Sequence, residues 1–483
     1  MLYGQETGTP HLIWISPIIV RQVKNITMET LSRRRFLKIA VAAMPATRMA
    51  SRLFATPPAA SKPNIVFVFA DQMRACSMGC MGNQQVITPH LDKLASEGLL
   101  VTNAISCQPV CTPYRAQLLT GRYSHHTGVI HNDVRLPDGE VVISEIMKKR
   151  GYATGYIGKW HLAGYRRNPV DAKNRRGWDF WAVCNCSHEY FSTAYWLNDA
   201  ESPTSVTGWE PDVQTDLAVE FIRKNKQHPF CLFVSFGPPH NPYKAPEKYV
   251  KRYEGRKLDP RPNVPKGKSG PLLQYYAMIT SLDECVGRIS EALAAAGVAE
   301  DTVLCFSSDH GDMLGSQGQV LKQRPWEESI NVPFILRYPN KVKAGQRPDW
   351  IVSTVDVMPT LLGLSGIPVP ENLDGMDLSP LFRGKGGRER DAAFLFNVNA
   401  GAGPGPNGEG WRGIRTKEWI YAYHARGDWV MYGLKSDPYE LKNLVDDPAS
   451  AARKKELHAQ LEAMRKQLGE ALPMKGQLRP ISL

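Results

Sequence analysis

Four apolar runs in this chain each end in residues able to do chemistry. Residues 64–70 (NIVFVFA) stop at Asp71-Gln72, and residues 152–157 stop before Gly158-Lys159-Trp160-His161. Residues 230–236 (FCLFVSF) lead through Gly237-Pro238-Pro239 to His240, and residues 302–307 end in Ser308-Asp309-His310-Gly311-Asp312. An acid beside a neutral amide or imidazole suits a hard divalent cation, and imidazole transfers protons near neutral pH. A fifth group is Cys111, which opens the run Cys-Thr-Pro-Tyr-Arg-Ala-Gln-Leu-Leu-Thr-Gly-Arg at 111–122. Arg115 lies one turn beyond it if the run opens a helix.

These groups need a scaffold that brings strand ends together. The apolar, β-branched runs have the look of strands buried on both faces, with a further one at 332–338. Helical periodicities lie between them, for example Ile279, Leu282, Val286, Ile289 and Leu293. Strands alternating with helices predict an α/β fold, a large and mainly parallel sheet sandwiched by helices. In such sheets ligands bind beyond the carboxyl ends of the strands. The pattern changes after residue 385, with a Gly-rich loop at 401–408, short strand-like pieces at 411–416, 419–424 and 429–434, and a charged helix at 448–470. The expected organisation is a leader over 1–55, a catalytic domain over 60–385, and a small C-terminal subdomain over 386–483 with an antiparallel sheet and a terminal helix.

Composition sets the outer bounds. The chain has 483 residues, 42% hydrophobic and 22% charged, which excludes a disordered protein, and it has no apolar stretch long enough to span a membrane. The net charge of +12 divides evenly: residues 1–55 carry eight Lys/Arg against two acids, and the remainder carries 51 against 45. No basic run follows residue 60, so nucleic-acid binding is not indicated; a weak preference for anionic substrates is. Among the nine cysteines, Cys231 and Cys305 lie in apolar runs as buried thiols, Cys184 and Cys186 are too close to pair, and no Cys-x2-Cys metal pair exists.

Residues 32–38, Ser-Arg-Arg-Arg-Phe-Leu-Lys, precede a short apolar run at 39–46 and resemble a twin-arginine export signal. The other reading is a basic amphipathic helix. The resemblance implies a twin-arginine translocase as partner, cleavage near Ala55, a start at Met28 with an unusual leader before it, and a periplasmic or secreted enzyme modified before export.

Residues 111–122 resemble the signature of the type I sulfatases in the alkaline phosphatase superfamily, Cys-x-Pro-x-Arg followed by Leu-x-Thr-Gly-Arg. Tyr114 stands where Ser is commonest. The resemblance implies that a maturation enzyme converts Cys111 to formylglycine, whose hydrate is the nucleophile, with Arg115 bonding it. It implies a divalent cation, calcium favoured, held by Asp71, Gln72, the residue at 111, Asp309 and His310, the last of which could equally hydrogen-bond the nucleophile. Lys159 and His161 resemble the pair contacting nucleophile and sulfate. His240 and Lys322 resemble the residues that bind sulfate and protonate the leaving oxygen; imidazole's neutral titration favours His240 as the acid. Asp312 reads as a supporting or capping residue, and Asn132 and Asp133 could face the substrate. His125, His126, His131 and His188 match no shared role and are at most pocket candidates. Residues 431–444 resemble the family's C-terminal strand, turn and helix entry.

The function implied is hydrolysis of sulfate monoesters, with a sulfated carbohydrate preferred as substrate. A phosphonate or phosphodiester hydrolase on the same fold is the alternative, and an unmatured carbohydrate-binding protein the non-enzyme one. Trp178, Trp181, Tyr190, Tyr195 and Trp196 form an aromatic-rich insertion for which core packing is favoured over stacking on sugar rings.

Overall fold

The computed structural model describes residues 31–42, 62–166, 168–398 and 410–473. Its main sheet contains β1 (Asn64–Asp71), β2 (Ala153–Lys159), β3 (Phe180–Cys184), β4 (Ser192–Leu197), β5 (Phe230–Pro239), β6 (Thr302–Ser308) and β7 (Phe334–Arg337). Across the sheet they run β4-β3-β2-β5-β1-β6-β7, with the short strands Thr204–Thr207 and Leu31–Ser32 beyond β4 and Leu99–Leu100 beyond β7. The five from β3 to β6 are parallel. Every residue of these five is buried, which is why they read as unbroken apolar runs rather than alternating ones. The predicted fifth strand is present as β7 but pairs antiparallel with β6.

Helices cover both faces. α1 (Cys111–Thr120) packs Tyr114, Leu118 and Leu119 on the face shown by Ile65, Phe67 and Phe69. α2 (Glu210–Asn225) and α3 (Leu272–Ala295) pack Leu217, Phe221 and Leu282 on the opposite face, against Val66 and Val68. The aromatic insertion belongs to these cores: Trp178 and Trp181 join the first cluster and Tyr190 and Tyr195 the second. Trp160 lies edge-on to Trp181 with ring centroids 5.0 Å apart, so this aromatic material fixes the strand beside Lys159. Within β2, Gly158 has φ +103°, and a Cβ there would sit 2.0 Å from the Ser235 carbonyl oxygen. Only glycine lets β2 approach β5 so closely at the position before Lys159.

The C-terminal part forms a four-stranded antiparallel sheet of β8 (Ala392–Asn397), β9 (Trp411–Thr416), β10 (Trp419–His424) and β11 (Gly427–Gly433), joined by α4 (Ala451–Gln467). Its apolar residues Phe394, Ile414, Tyr421 and Leu461 share a cluster with Cys107, Tyr123 and Ile130 of the larger part.

The arginine-rich N-terminal segment is packed on the domain where it is described. Leu31–Ser32 pairs with Thr204–Thr207, and a helix follows over Arg33–Ala42. Phe36 is buried against Tyr195 at 5.6 Å, and Arg33 pairs with Asp212 and Asp216. The position near Ala55 and residues 1–27 lie outside the described residues. No helix among the described residues is long and apolar enough to cross a membrane.

Candidate active site

The carboxyl ends of β1, β2, β5 and β6 converge on the first turn of α1. Asp71 ends β1, Lys159 ends β2, His240 follows β5, Asp309 and His310 follow β6, and Cys111 opens α1. One ligand atom each from Asp71, Cys111, Asp309 and His310 lies within 4.8 Å of the others, all four residues buried. Cys111 Sγ is 3.1 Å from His310 Nε2 and 3.7 Å from Asp71 Oδ1. His310 Nδ1 faces the Gly311 carbonyl at 3.0 Å, so it donates there and turns Nε2 towards the cluster. Burial and then Asp71 push the Asp309 carboxyl up to about 6. Two carboxylates held together out of water favour a cation between them. The residues present fit a divalent cation.

Gln72 has φ +71°, a left-handed backbone that turns its N–H onto Asp309 Oδ1 at 2.9 Å. Its carboxamide nitrogen donates to Asp312 at 2.8 Å, and its oxygen accepts from Lys322 Nζ at 2.7 Å. Asp312 also accepts from Tyr243 and from the Leu314 N–H, the supporting role expected of it.

Arg115 departs from expectation. It forms no hydrogen bond with Cys111. Nη2 reaches Asp71 at 3.1 Å and Asp309 at 3.2 Å, while Nη1 donates to the Lys159 carbonyl and to Ser235 Oγ, both at 2.7 Å. One helical turn from Cys111, the side chain points down at the strand ends, and its fork fits two carboxylates better than one sulfur. Ser235, the one hydroxyl in FCLFVSF, was visible in sequence as a polar interruption but carried no assigned role. Tyr114, at the departing position of the motif, is buried in the core.

A ring of positive groups surrounds Cys111. Lys159 Nζ pairs with Asp71 at 2.6 Å, and its pKa lies well above the ordinary value because Asp71 and Cys111 outweigh burial. Burial alone would raise the Cys111 thiol, but Lys159, Lys322 and His310 together hold it well below the usual range. For His161, burial and Lys159 are outweighed by hydrogen bonding to Asp133 and Cys111, lifting it to about 10. Asp133 lies 3.5 Å from His161, and Asn132 accepts from the Thr112 N–H, so both border the site.

His240 and Lys322 touch, with Nε2 and Nζ 2.6 Å apart. His240 Nδ1 faces the Asn241 carbonyl at 2.7 Å and donates to it, so Nε2 accepts from the lysine. Burial, then Lys322, pushes His240 down to about 3. In this contact Lys322 Nζ is the donor and the imidazole the acceptor, contrary to the expected neutral titration of the imidazole. His188 stacks on His240 with centroids 4.2 Å apart, which places it beside the site. Cys186 lies 3.9 Å from His188; burial opposes its ionisation, but Lys159 and His161 pull it down to about 5. His125 and His126 are not in this site. His125 contacts Leu468 and His126 contacts Asp374.

Beneath the site, Glu210 is fully buried and hydrogen-bonded to Gln214 through one oxygen, the other lacking a partner among the described residues. Burial, the largest influence, pushes its carboxyl up to about 8 from an ordinary 4.5. A raised folded-state pKa gives stability present in full below the unfolded value and lost as pH rises through the folded one. Wild type should therefore lose melting temperature between pH 5 and pH 8.5, at most ~1.4 kcal/mol per pH unit from this group, and Glu210→Gln should flatten that loss. Parallel melting curves of both proteins across this range would contradict the assignment.

Comparisons with known proteins agree with this geometry. The sulfatase family model matches residues 63–367, and the model for the N-sulphoglucosamine sulphohydrolase C-terminal region matches residues 315–467. The chain is 40% identical over 421 residues to an ulvan-active sulfatase of Formosa agariphila, covering 85% of this chain and 82% of that one. A solved Bacteroides thetaiotaomicron structure from work on glycosaminoglycan metabolism superposes with TM-score 0.77 at 29% identity, covering 85% of this chain and 97% of that one. The phosphonate monoester hydrolase of Agrobacterium radiobacter superposes with TM-score 0.69 at 26% identity, covering 84% and 96%.

Proposed function

Because the chain belongs to the sulfatase family and is a sulfuric ester hydrolase, we propose that its substrate is a sulfated carbohydrate, cleaved at the centre formed by residues 71, 111, 309 and 310. The observation that carries this reading is the convergence of the four buried ligand groups with Lys159, His161, His240 and Lys322 around Cys111. Such a concentration of positive groups suits a small tetrahedral anion. The ulvan-active relative supports a saccharide as the substrate, as does the glycosaminoglycan context of the superposed structure.

Conversion of Cys111 to formylglycine by a maturation enzyme would place an aldehyde hydrate at this position, a group that would supply the hydroxyl for attack on sulfur and a second hydroxyl for release of sulfate. A divalent cation, calcium by the oxygen-rich donor set, would be held by Asp71, Gln72, Asp309 and His310 and would supply positive charge at this centre. Arg115 keeps the two carboxylates in place from below. Lys159 and His161 hold the nucleophile position and neutralise the sulfate. The Lys322–His240 pair holds the proton that the departing alcohol needs, with Lys322 Nζ anchored on Gln72.

Export through the twin-arginine translocase to the periplasm or beyond follows from the Arg33-Arg34 motif. In that reading the packed helix Arg33–Ala42 is the form taken before cleavage.

A panel of sulfated saccharides, nitrophenyl sulfate and a phosphonate ester tests the function. The expected result is turnover of at least one sulfated saccharide with kcat/KM well above that for the phosphonate. Preference for the phosphonate ester would overturn the substrate assignment.

A further inference from the structure

The segment after β1 opens a second polar cavity at the same edge of the sheet, about 230 Å³ in volume. Arg74, Arg261, Asn83, Tyr276 and Tyr439 line it, together with Asp259. Arg74 is only 2% exposed, yet it makes no ion pair among the described residues; its Nε donates to Ser77 Oγ at 3.0 Å. Arg261 stacks on the Tyr439 ring at 4.9 Å and pairs with Glu328 at 2.7 Å.

The local charges do not balance. Glu328 is buried and pairs with Arg261 rather than Arg74, and its second oxygen has no partner among the described residues. Glu327 is matched by Arg415 at 2.8 Å. For Glu440, burial and then Glu328 and Glu327 push the carboxyl well above its usual range. Asp259 is exposed and pairs with Lys257 at 3.1 Å. Arg74 thus lines, without an ion-pair partner among the described residues, a cavity that also presents amide and phenol groups.

We propose that this cavity is a second anion site, taking a sulfate or carboxylate group apart from the catalytic centre. It is joined to that centre by short bonds: Tyr275 Oη accepts from the Arg74 N–H at 3.1 Å and donates to the Gln72 carbonyl at 2.8 Å. The anion is either a further substituent of the saccharide being cleaved or free inorganic sulfate. Only the first source rests on the carbohydrate reading above.

Two variants test it. Arg261→Gln removes a cavity charge, and Gln84→Glu adds a negative one at an exposed lining position outside the buried network, which keeps the test informative if the first variant folds poorly. Calorimetric titration with inorganic sulfate should find two sites per wild-type chain and one in each variant. Nitrophenyl sulfate turnover should be unchanged in both. If the KM for a sulfated oligosaccharide also rises about tenfold, the site serves the substrate chain. If that KM stands while one sulfate site is lost, the site takes free sulfate. A single sulfate site in wild type, with saccharide kinetics unaltered in both variants, would overturn the proposal. Absence of turnover on every saccharide would instead count against the substrate reading, leaving the sulfate titration to decide the cavity.

Discussion

Asp309→Ala is expected to lose its bound divalent cation and to lower kcat/KM on any sulfate ester by a factor on the order of a thousand or more. The size follows from what Asp309 does in several places at once. Its Oδ1 accepts from the Gln72 and His310 backbone N–H groups, and its Oδ2 accepts from Arg115. Removing it takes away one of two buried carboxylates and leaves Arg115 with Asp71 as its carboxylate partner. Metal content measured by mass spectrometry, beside kinetics, separates loss of cation from loss of fold, and a melting curve checks the latter. Retention of both cation and turnover in Asp309→Ala would contradict the cation assignment.

The second large effect concerns the leaving group. A general acid matters most for a poor leaving group, so removing it should cost about 10²–10⁴-fold on an alkyl or sugar sulfate and far less on a nitrophenyl sulfate. The Lys322–His240 contact at 2.6 Å makes the proton a property of the pair. Lys322→Ala removes the donor of that contact; His240→Ala removes the acceptor that orients it. Both variants should shift the ratio of kcat/KM between the two substrates, Lys322→Ala the more strongly. Equal losses on both substrates would reduce the pair to sulfate binding.

The sequence reading succeeded where the physics is local. Strands buried on both faces show as apolar runs, and the polar residue ending each run is where β1, β2, β5 and β6 deliver their side chains. The direction of β7 was not legible, because apolar content says nothing about which way a strand pairs. Arg115 illustrates a second limit: its spacing placed it one turn from Cys111, but its aim depended on Asp71 and Asp309, 44 and 194 residues away in sequence. His188 and Cys186 were left without roles for the same reason. The ring stack on His240 joins two histidines 52 positions apart and leaves no mark in either local sequence. The neutral state of His240 is likewise a consequence of burial beside a lysine that lies 82 residues on.

The measurement that tests the central claim most directly is the mass of the peptide containing Cys111, from protein produced alongside a formylglycine-generating enzyme. Replacement of the CH2SH group by an aldehyde should make that peptide lighter by about 18 mass units, and sulfatase activity across preparations should rise in proportion to the converted fraction. Full activity in a preparation carrying only free thiol at position 111 would contradict the account.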